Sequence, residues 1–249
     1  MDPRHGAVER RLGEVRRILA VTGGKGGIGK SAVASTLALL FGERGLATGL
    51  LDLDLTSPTD HVFLGASGAF PTEEFGIEPP LVAGVRLMSV SYFLGPGRPA
   101  PLRGPDVTNA TLELLAVTRW SPLDLLVLDM PPGLGDAALD LVRLVRRAEY
   151  LVVSADSLVV LETARRTVRL LRDLDADVAG VVENFTRTPS ERLRDLSAEF
   201  DVPFLGSLPW DESFESAVGD PDRLLRTRFA EALRPVRDAL LERSSADPR

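Results

Sequence analysis

The loop Gly24-Lys25-Gly26-Gly27-Ile28-Gly29-Lys30-Ser31 decides the fold of this chain. It matches the pattern Gly-x-x-x-x-Gly-Lys-Ser, whose glycines let backbone N–H groups converge on phosphate oxygens. A short apolar run, residues 18–22, predicts a buried strand just before the loop. A helix is predicted over residues 30–44, because four apolar side chains share one face: Val33, Leu37, Leu40 and Phe41. Strand, loop and helix together favour a phosphate-binding loop over a glycine-rich turn with an incidental lysine.

The two polar residues at the end of this loop have predicted roles in binding a nucleotide and its metal ion. Lys30 is expected to reach the β- and γ-phosphates of a nucleotide, and Ser31 to ligate Mg²⁺. The N-terminus of the following helix also favours an anion. Ala32 lacks a hydroxyl for the α-phosphate, which predicts a modest loss of affinity. The predicted nucleotide-binding residues of the loop are Gly24, Lys25, Gly26, Gly27, Ile28, Gly29, Lys30, Ser31 and Ala32.

Composition limits the class of protein. With 249 residues and 44% apolar content, residues 1–249 are expected to form a single large α/β domain. A net charge of -7 argues against nucleic acid or an anionic membrane as a partner. No apolar run approaches the roughly 20 residues of a membrane span, and the charged N-terminus has no signal-peptide core, so a cytoplasmic location is expected. The absence of cysteine excludes disulfides, thiolate metal sites and cysteine nucleophiles.

Lysine usage points to the same loop. Of the 29 basic residues only two, Lys25 and Lys30, are lysines, and both lie in the loop. A position that stays lysine in a chain otherwise using arginine indicates a need for a compact ammonium. The alternative for Lys25 is a solvated surface charge. The Asn-Lys-x-Asp loop with which many P-loop GTPases read guanine cannot occur in this chain, so ATP is favoured over GTP.

Apolar runs alternate with helical patterns along the chain. Strands are predicted at 18–22, 48–53, 85–90, 123–129, 150–154, 178–182 and 204–208, and helices at 10–17, 30–44, 108–119, 136–147, 158–174, 189–200 and 223–243. This alternation predicts a doubly wound, mostly parallel α/β sheet with helices on both faces. Residues 1–17 are expected to form a helical extension, residues 244–249 a flexible tail, and residues 65–84 and 93–107 long loops.

The loop resembles that of the deviant Walker A proteins, which reads Lys-Gly-Gly-x-Gly-Lys-Ser/Thr. Within that class the closest likeness is to the Mrp (ApbC) nucleotide-binding proteins, which handle iron–sulfur clusters. The matching stretches occur in the family's order over about residues 18–210: Val21–Ser31, Leu51–Asp54 with Ser57-Pro58, Arg103-Gly104-Pro105, Leu128–Asp136 and Val181–Asn184. The Pro-Pro-Gly-x-Gly-Asp and Val-Glu-Asn elements favour this family over its relatives.

The resemblance implies roles for residues that follow the strands. Asp54 would position or activate the attacking water, Asp52 would support the Mg²⁺ shell, and Asp129 would bind Mg²⁺ through water. Asn184 would bond the adenine edge. The predicted catalytic residues are Lys25, Lys30 and Asp54, and the predicted metal residues are Ser31, Asp52 and Asp129. Carboxylates at strand ends also serve as helix caps, an alternative that stays open for Asp52 and Asp136.

The resemblance also implies a homodimer that binds ATP and Mg²⁺. In the deviant Walker A class the first lysine crosses a dimer interface and contacts the partner's nucleotide. Lys25 would act there as an arginine finger does, placing a cation where charge develops on the transferring phosphoryl group. Gly133 and Gly135 would hinge a second switch that senses the γ-phosphate.

The chain departs from the family near residue 184. Cluster-carrying members place Cys-x-x-Cys shortly after the Val-Glu-Asn element, whereas this chain has no cysteine. Iron–sulfur clusters need cysteine thiolates, which histidine replaces only in part. The first hypothesis is therefore a dimeric ATPase switch that assists assembly or insertion of a metallocofactor into a client protein, without itself holding a cluster.

Two other functions stay open. A positioning ATPase of the MinD or ParA kind would need a basic amphipathic C-terminal helix for membranes, or a basic patch for DNA. The helix at 232–243 has mixed charge and is expected to dock on the domain, and the arginines within 143–147 and 165–169 are expected to form solvated helix faces. A P-loop ligase would need a substrate pocket that no motif marks.

Overall fold

The computed structural model describes residues 2–94, 104–133, 135–188 and 191–246. Several predicted features lie outside these residues. They are Arg103, residues 95–103 of the predicted loop, the first two residues of the helix predicted at 189–200, and residues 247–249 of the predicted tail.

Strands and helices alternate along most of the chain. The strands are β1 (Val15–Thr22), β2 (Thr48–Asp52), β3 (Thr72–Glu73), β4 (Ile77–Glu78), β5 (Leu81–Val82), β6 (Val85–Ser89), β7 (Leu123–Asp129), β8 (Glu149–Ala155), β9 (Asp177–Thr186) and β10 (Phe204–Pro209). The helices are α1 (Pro3–Gly13), α2 (Lys30–Glu43), α3 (Asp60–Phe63), α4 (Gly104–Val117), α5 (Asp136–Leu144), α6 (Leu158–Asp173), α7 (Arg192–Glu199), α8 (Glu212–Glu215), α9 (Pro221–Leu224) and α10 (Arg228–Ala246). A 3₁₀ helix covers Val90–Phe93.

The main sheet has the strand order β10-β9-β8-β1-β7-β2-β6-β5. Its strands pair in parallel, except that β5 pairs antiparallel with β6. Apolar side chains of α2 and α10 pack on one face, and those of α1, α4, α5, α6 and α7 on the other. The predicted doubly wound, mostly parallel sheet with helices on both faces is confirmed. The carboxyl ends of its parallel strands meet at one edge, where ligands bind in such folds.

The N-terminal prediction is wrong at its boundary. A helix was expected to fill 10–17 within a helical extension over 1–17, but α1 ends at Gly13 and β1 begins at Val15. Val15 is buried, and Arg17 pairs with Glu149 of the neighbouring strand at 2.5 Å. The charged residues suggested a surface helix, whereas Arg17 lies in the sheet and forms a cross-strand ion pair with Glu149.

The C-terminal helix differs from its prediction at both ends. The single helix predicted at 223–243 is divided, because Thr227 accepts a hydrogen bond from the Ala230 N–H at 3.2 Å and so starts α10 anew. The helix runs to Ala246, so residues 244–246 are helical rather than part of a tail. The predicted docking is confirmed, since three apolar side chains of α10 are buried: Leu233, Val236 and Leu240.

The predicted loop at 65–84 contains short strands. β3 and β4 form a small antiparallel pair, and β5 adds an edge to the main sheet.

Among the helices that the structure describes, none combines the length and apolar character that crossing a membrane would require.

Candidate functional site

The phosphate loop is held in shape by glycines at two crowded points. A Cβ on Gly24 would lie 2.6 Å from the Thr163 carbonyl oxygen of α6. Gly29 has φ +83°, and a Cβ there would lie 2.2 Å from Nδ2 of Asn184. A side chain at either position would move the loop or its support, so both glycines fix where the loop's N–H groups lie.

A cavity of about 730 Å³ opens beside this loop. Lys30, Ser31 and Asp54 line it, together with loop glycines. Phe185 and Trp210, at the ends of β9 and β10, line it as well. Glycines, polar side chains and aromatic rings in one cavity fit a ligand that has both an anionic group and a flat apolar group.

Ser31 and Asp129 lie together at the inner side of the site. The Ser31 hydroxyl donates to Oδ2 of Asp129 at 2.5 Å. Asp129 is buried, and its Oδ1 has no hydrogen-bond partner among the described residues. In the sheet, Asp129 pairs in register with Asp52 of β2. The sheet thus brings together the three residues predicted for the metal.

Asp52 holds the segment that follows β2. Its carboxylate accepts hydrogen bonds from the N–H groups of Asp54 (3.1 Å), Thr59 (3.0 Å) and Asp60 (3.3 Å), and from the Ser89 hydroxyl (3.3 Å). This arrangement bears out part of the capping alternative, since the bonds bend the chain into α3. The predicted support of a Mg²⁺ shell stays a prediction.

Asp60 is a buried carboxylate that the sequence did not mark. It accepts a hydrogen bond from the Ser35 hydroxyl of α2 at 2.8 Å, and one of its oxygens lies within 4.8 Å of oxygens of Asp52 and Asp129. Burial raises the pKa of Asp60 well above its usual value, and repulsion from Asp129 and Asp52 adds to this. Burial raises the pKa of Asp52 and of Asp129 as well. The inner side of the site is therefore rich in closely spaced acids.

Asp54 lies at the wall of the cavity, half-buried. Its Oδ1 accepts hydrogen bonds from the Thr56 hydroxyl at 2.7 Å and the Ser57 N–H at 3.1 Å. These bonds orient the carboxylate on a cavity that Lys30 and Ser31 also line, as the predicted role near an attacking water requires. That role itself stays a prediction.

The two lysines of the loop lie in different environments. Lys30 is buried at the start of α2, whereas Lys25 is exposed. Neither forms a salt bridge with a residue that the structure describes. Lys30 lines the cavity, and Lys25 is accessible to solvent.

Asn184 lies beneath the loop rather than in a segment after the strand. β9 extends to Thr186, and the buried Asn184 side chain donates to the Ile28 carbonyl at 2.9 Å. Its Oδ1 accepts from the Phe185 N–H at 2.8 Å. Asn184 therefore supports the phosphate loop through its hydrogen bond to Ile28. Its predicted contact with adenine stays a prediction.

An aromatic wall, formed by Phe185 and Trp210, was not found from the sequence. Their ring centroids are 5.6 Å apart, and the Arg187 guanidinium lies 5.1 Å from the Trp210 ring centre. Phe185 has φ +59°, a conformation that bulky residues rarely adopt and that clusters at functional sites. Both rings are partly exposed. No sequence signal joins them, because they meet only when β9 and β10 pair.

The segment after β7 carries the predicted second switch. Gly133 has φ +80°, and Gly135 precedes α5 as its N-cap residue. Gly135 is the N-cap residue and Asp136 is the first residue inside the helix, so the capping alternative for Asp136 is wrong. A hinge at Gly133 and Gly135 stays a prediction.

The donors at this edge fit a hard divalent cation. Ser31, Asp52 and Asp129 offer oxygen atoms alone, which Mg²⁺ prefers. The buried, unpartnered Oδ1 of Asp129 would gain a partner from such an ion or its water. These residues would hold Mg²⁺ beside a nucleotide on the phosphate loop.

The sequence of the chain also matches a known protein family, in agreement with this geometry. The sequence profile of the family described as "NUBPL iron-transfer P-loop NTPase" matches residues 14–239. The chain belongs to this family. The phosphate loop and the mostly parallel sheet agree with this assignment.

Relatives of this P-loop NTPase carry a common name. An "iron-sulfur cluster carrier protein" from Pseudomonas fragi is 35% identical, with 85% of this chain and 82% of the relative aligned. One from Synechocystis is 35% identical over 80% of this chain, but the match covers 61% of the relative's length. Thus this chain spans about three-fifths of some relatives that it matches.

Solved structures show the same fold. A nucleotide-binding protein from Archaeoglobus fulgidus in complex with ADP has a TM-score of 0.74 and 24% identity, covering 89% of this P-loop NTPase and 93% of that chain. The cell division ATPase MinD from Pyrococcus furiosus has a TM-score of 0.68 and 20% identity, covering 91% and 99%. At these identities the likeness establishes the fold alone.

Proposed function

We propose that this chain is an ATP-binding and ATP-hydrolysing switch that acts as a homodimer. It assists the assembly of iron–sulfur cofactors, or their insertion into a client protein, without holding a cluster itself. The observation that carries the proposal is an intact phosphate site, with Ser31 bonded to Asp129 at 2.5 Å, in a chain without cysteine. Relatives named iron–sulfur cluster carrier proteins supply the class of cargo.

Each residue of the site has its own role in nucleotide hydrolysis. Lys30 contacts the β- and γ-phosphates, and Asp54 orients a water at the cavity wall. Ser31 and Asp129 would hold Mg²⁺ with support from Asp52, and the ion when bound would offset phosphate charge. Lys25, exposed in the loop, reaches the nucleotide of the second protomer.

ATP is the proposed nucleotide rather than GTP. The chain has no Asn-Lys-x-Asp loop, and the aromatic wall is part of the cavity lining. The aromatic wall accepts the flat face of a purine.

A positioning ATPase finds less support in the structure. The apolar side of α10 is buried against the domain, so it offers no face to a membrane. In α6, Arg165 pairs with Glu199 at 2.8 Å and Arg166 with Glu162 at 3.1 Å, which reduces their value as a DNA-binding patch. The proposed function therefore includes neither membrane nor nucleic acid as a partner.

Gene deletion in the native host tests the proposal. The activity of a labile iron–sulfur enzyme such as aconitase should fall and should recover with the wild-type gene. Lys30→Ala should fail to restore it, because phosphate binding is lost, whereas Arg44→Ala at the exposed end of α2 should succeed. Unchanged aconitase activity after deletion, or full recovery with Lys30→Ala, would contradict the proposal.

A further inference from the structure

Asp60 forms an acidic cluster with Asp52 and Asp129, and the three side chains are almost completely buried. Asp52 and Asp129 come from neighbouring strands in register, and Asp60 comes from the start of α3. One oxygen from each carboxylate lies within 4.8 Å of the other two. Three acids are thus gathered in one buried space.

Two oxygens of this cluster lack a hydrogen-bond donor among the described residues. Asp60 accepts from Ser35 through Oδ1, but its Oδ2 has no partner. Asp129 accepts from Ser31 through Oδ2, and its Oδ1 has none. A buried oxygen without a partner lowers stability, and more so when it is charged. An ion bound to either of these oxygens would offset this cost.

The donor atoms of the cluster indicate which ion fits. Lys30 is a buried cation that lines the adjoining cavity. Asp52 is already held by backbone N–H groups, which leaves its position fixed. Carboxylate oxygens without nitrogen or sulfur donors suit hard divalent cations.

We propose that Asp52, Asp60 and Asp129 form a divalent-cation site that fills in the absence of nucleotide. The magnesium site of the proposed function depends on phosphate oxygens as additional ligands, whereas here Asp60 completes a set of three protein carboxylates. The ligand class is a hard divalent ion such as Mn²⁺, Mg²⁺ or Fe²⁺. In a chain without cysteine, such a site allows a single ferrous ion to bind where no cluster can.

Mn²⁺ is the probe for this site, because free Mn²⁺ gives an EPR signal that diminishes on binding. The nucleotide-free full chain should bind one Mn²⁺. Asp60→Asn should weaken that affinity by at least about tenfold, the loss that even an outer-shell change causes. Asp106→Asn, the same change at an exposed position of α4, should leave it unaltered. Anaerobic competition with Fe²⁺ and Mg²⁺ then ranks the ions.

Two outcomes overturn the inference. One is a nucleotide-free wild-type chain that leaves the signal of millimolar Mn²⁺ unchanged, and the other is an Asp60→Asn variant that binds Mn²⁺ as wild type does. If Asp60→Asn does not fold, Asp60→Ser replaces it, and the wild-type titration still decides whether the site exists. ATP binding measured on the same samples separates this inference from the proposed function, which stands if ATP binds while Mn²⁺ does not.

Discussion

Lys30 is the residue on which nucleotide binding most depends. Its ammonium is buried at the start of α2 and forms no salt bridge with the residues described, so it is free to pair with phosphates. Lys30→Ala should lower ATP affinity by at least about 100-fold, because each charged hydrogen bond contributes about 1.5–3 kcal/mol. Isothermal titration calorimetry checks this, with Arg44→Ala as the control. Affinity within a few-fold of wild type would place the phosphates elsewhere.

Trp210 belongs to the aromatic wall, which we expect to stack on the purine. Trp210→Ala should weaken ATP binding by about 1–3 kcal/mol, the usual contribution of one stacked base. Binding of inorganic tripolyphosphate should not change, since that ligand has no base. Trp210→Phe keeps a ring and should retain most of the affinity.

Calorimetry with both ligands gives the decisive comparison for Trp210. An equal loss for ATP and tripolyphosphate would mean that the substitution damages the phosphate loop rather than base stacking. Fluorescence offers a second check, because Trp120 is fully buried and Trp210 is the partly exposed tryptophan. Quenching on ATP addition should disappear in Trp210→Phe.

At the scale of elements, the phosphate loop depends on the close approach of α6. A Cβ on Gly24 would lie 2.6 Å from backbone and side-chain atoms of Thr163, so one partner must move. Gly24→Ala should destabilise the free protein by about 1–3 kcal/mol, as overpacking does, which is roughly 2–12 °C in Tm. Gly26→Ala is the matched control, because the nearest atom to its Cβ would be 3.8 Å away. Calorimetry of both variants measures the difference, and equal melting temperatures would refute the packing argument.

Apolar periodicity predicted most of these elements, since a buried parallel strand is a nearly continuous apolar run. The strand at Leu123–Asp129 matches its predicted bounds. The prediction failed where a tertiary contact overrides local pattern: Arg17 lies in β1 because Glu149 pairs with it across the sheet. The break before α10 was also missed, because it depends on a hydrogen bond to Thr227.

At the scale of the whole molecule, the sequence predicted which edge of the sheet carries the site, but not all of the residues that form it. Motifs marked Lys30, Asp52 and Asp129, and the sheet brings all three together. Asp60 and the aromatic wall belong to no motif, and their places depend on strand pairing and on the turn after β2. Sequence spacing alone could not show these contacts, because they join residues from separate loops.

The whole chain is expected to carry no stable iron–sulfur cluster. Fe–S clusters are held by cysteine thiolates, and none is present. Anaerobic reconstitution with ferrous iron and sulfide, followed by gel filtration, should leave no bound sulfide. A single ferrous ion without sulfide agrees with the acidic cluster, whereas iron and sulfide together in stoichiometric amounts would show that the chain carries clusters after all.

The central claim is that the chain is a dimeric switch in which each protomer supplies Lys25 to the nucleotide site of the other. It is tested most directly by mixing two inactive variants, Lys25→Ala and Asp54→Asn, and measuring phosphate release from ATP. A mixed dimer holds one site with its own Asp54 that faces an intact Lys25. Half the dimers should be mixed, so activity should recover to about a quarter of wild type if sites act independently. If Lys25 acts within its own protomer, every site keeps one defect and mixing restores no activity. Absence of recovered ATP hydrolysis, with subunit exchange confirmed, would therefore contradict the account.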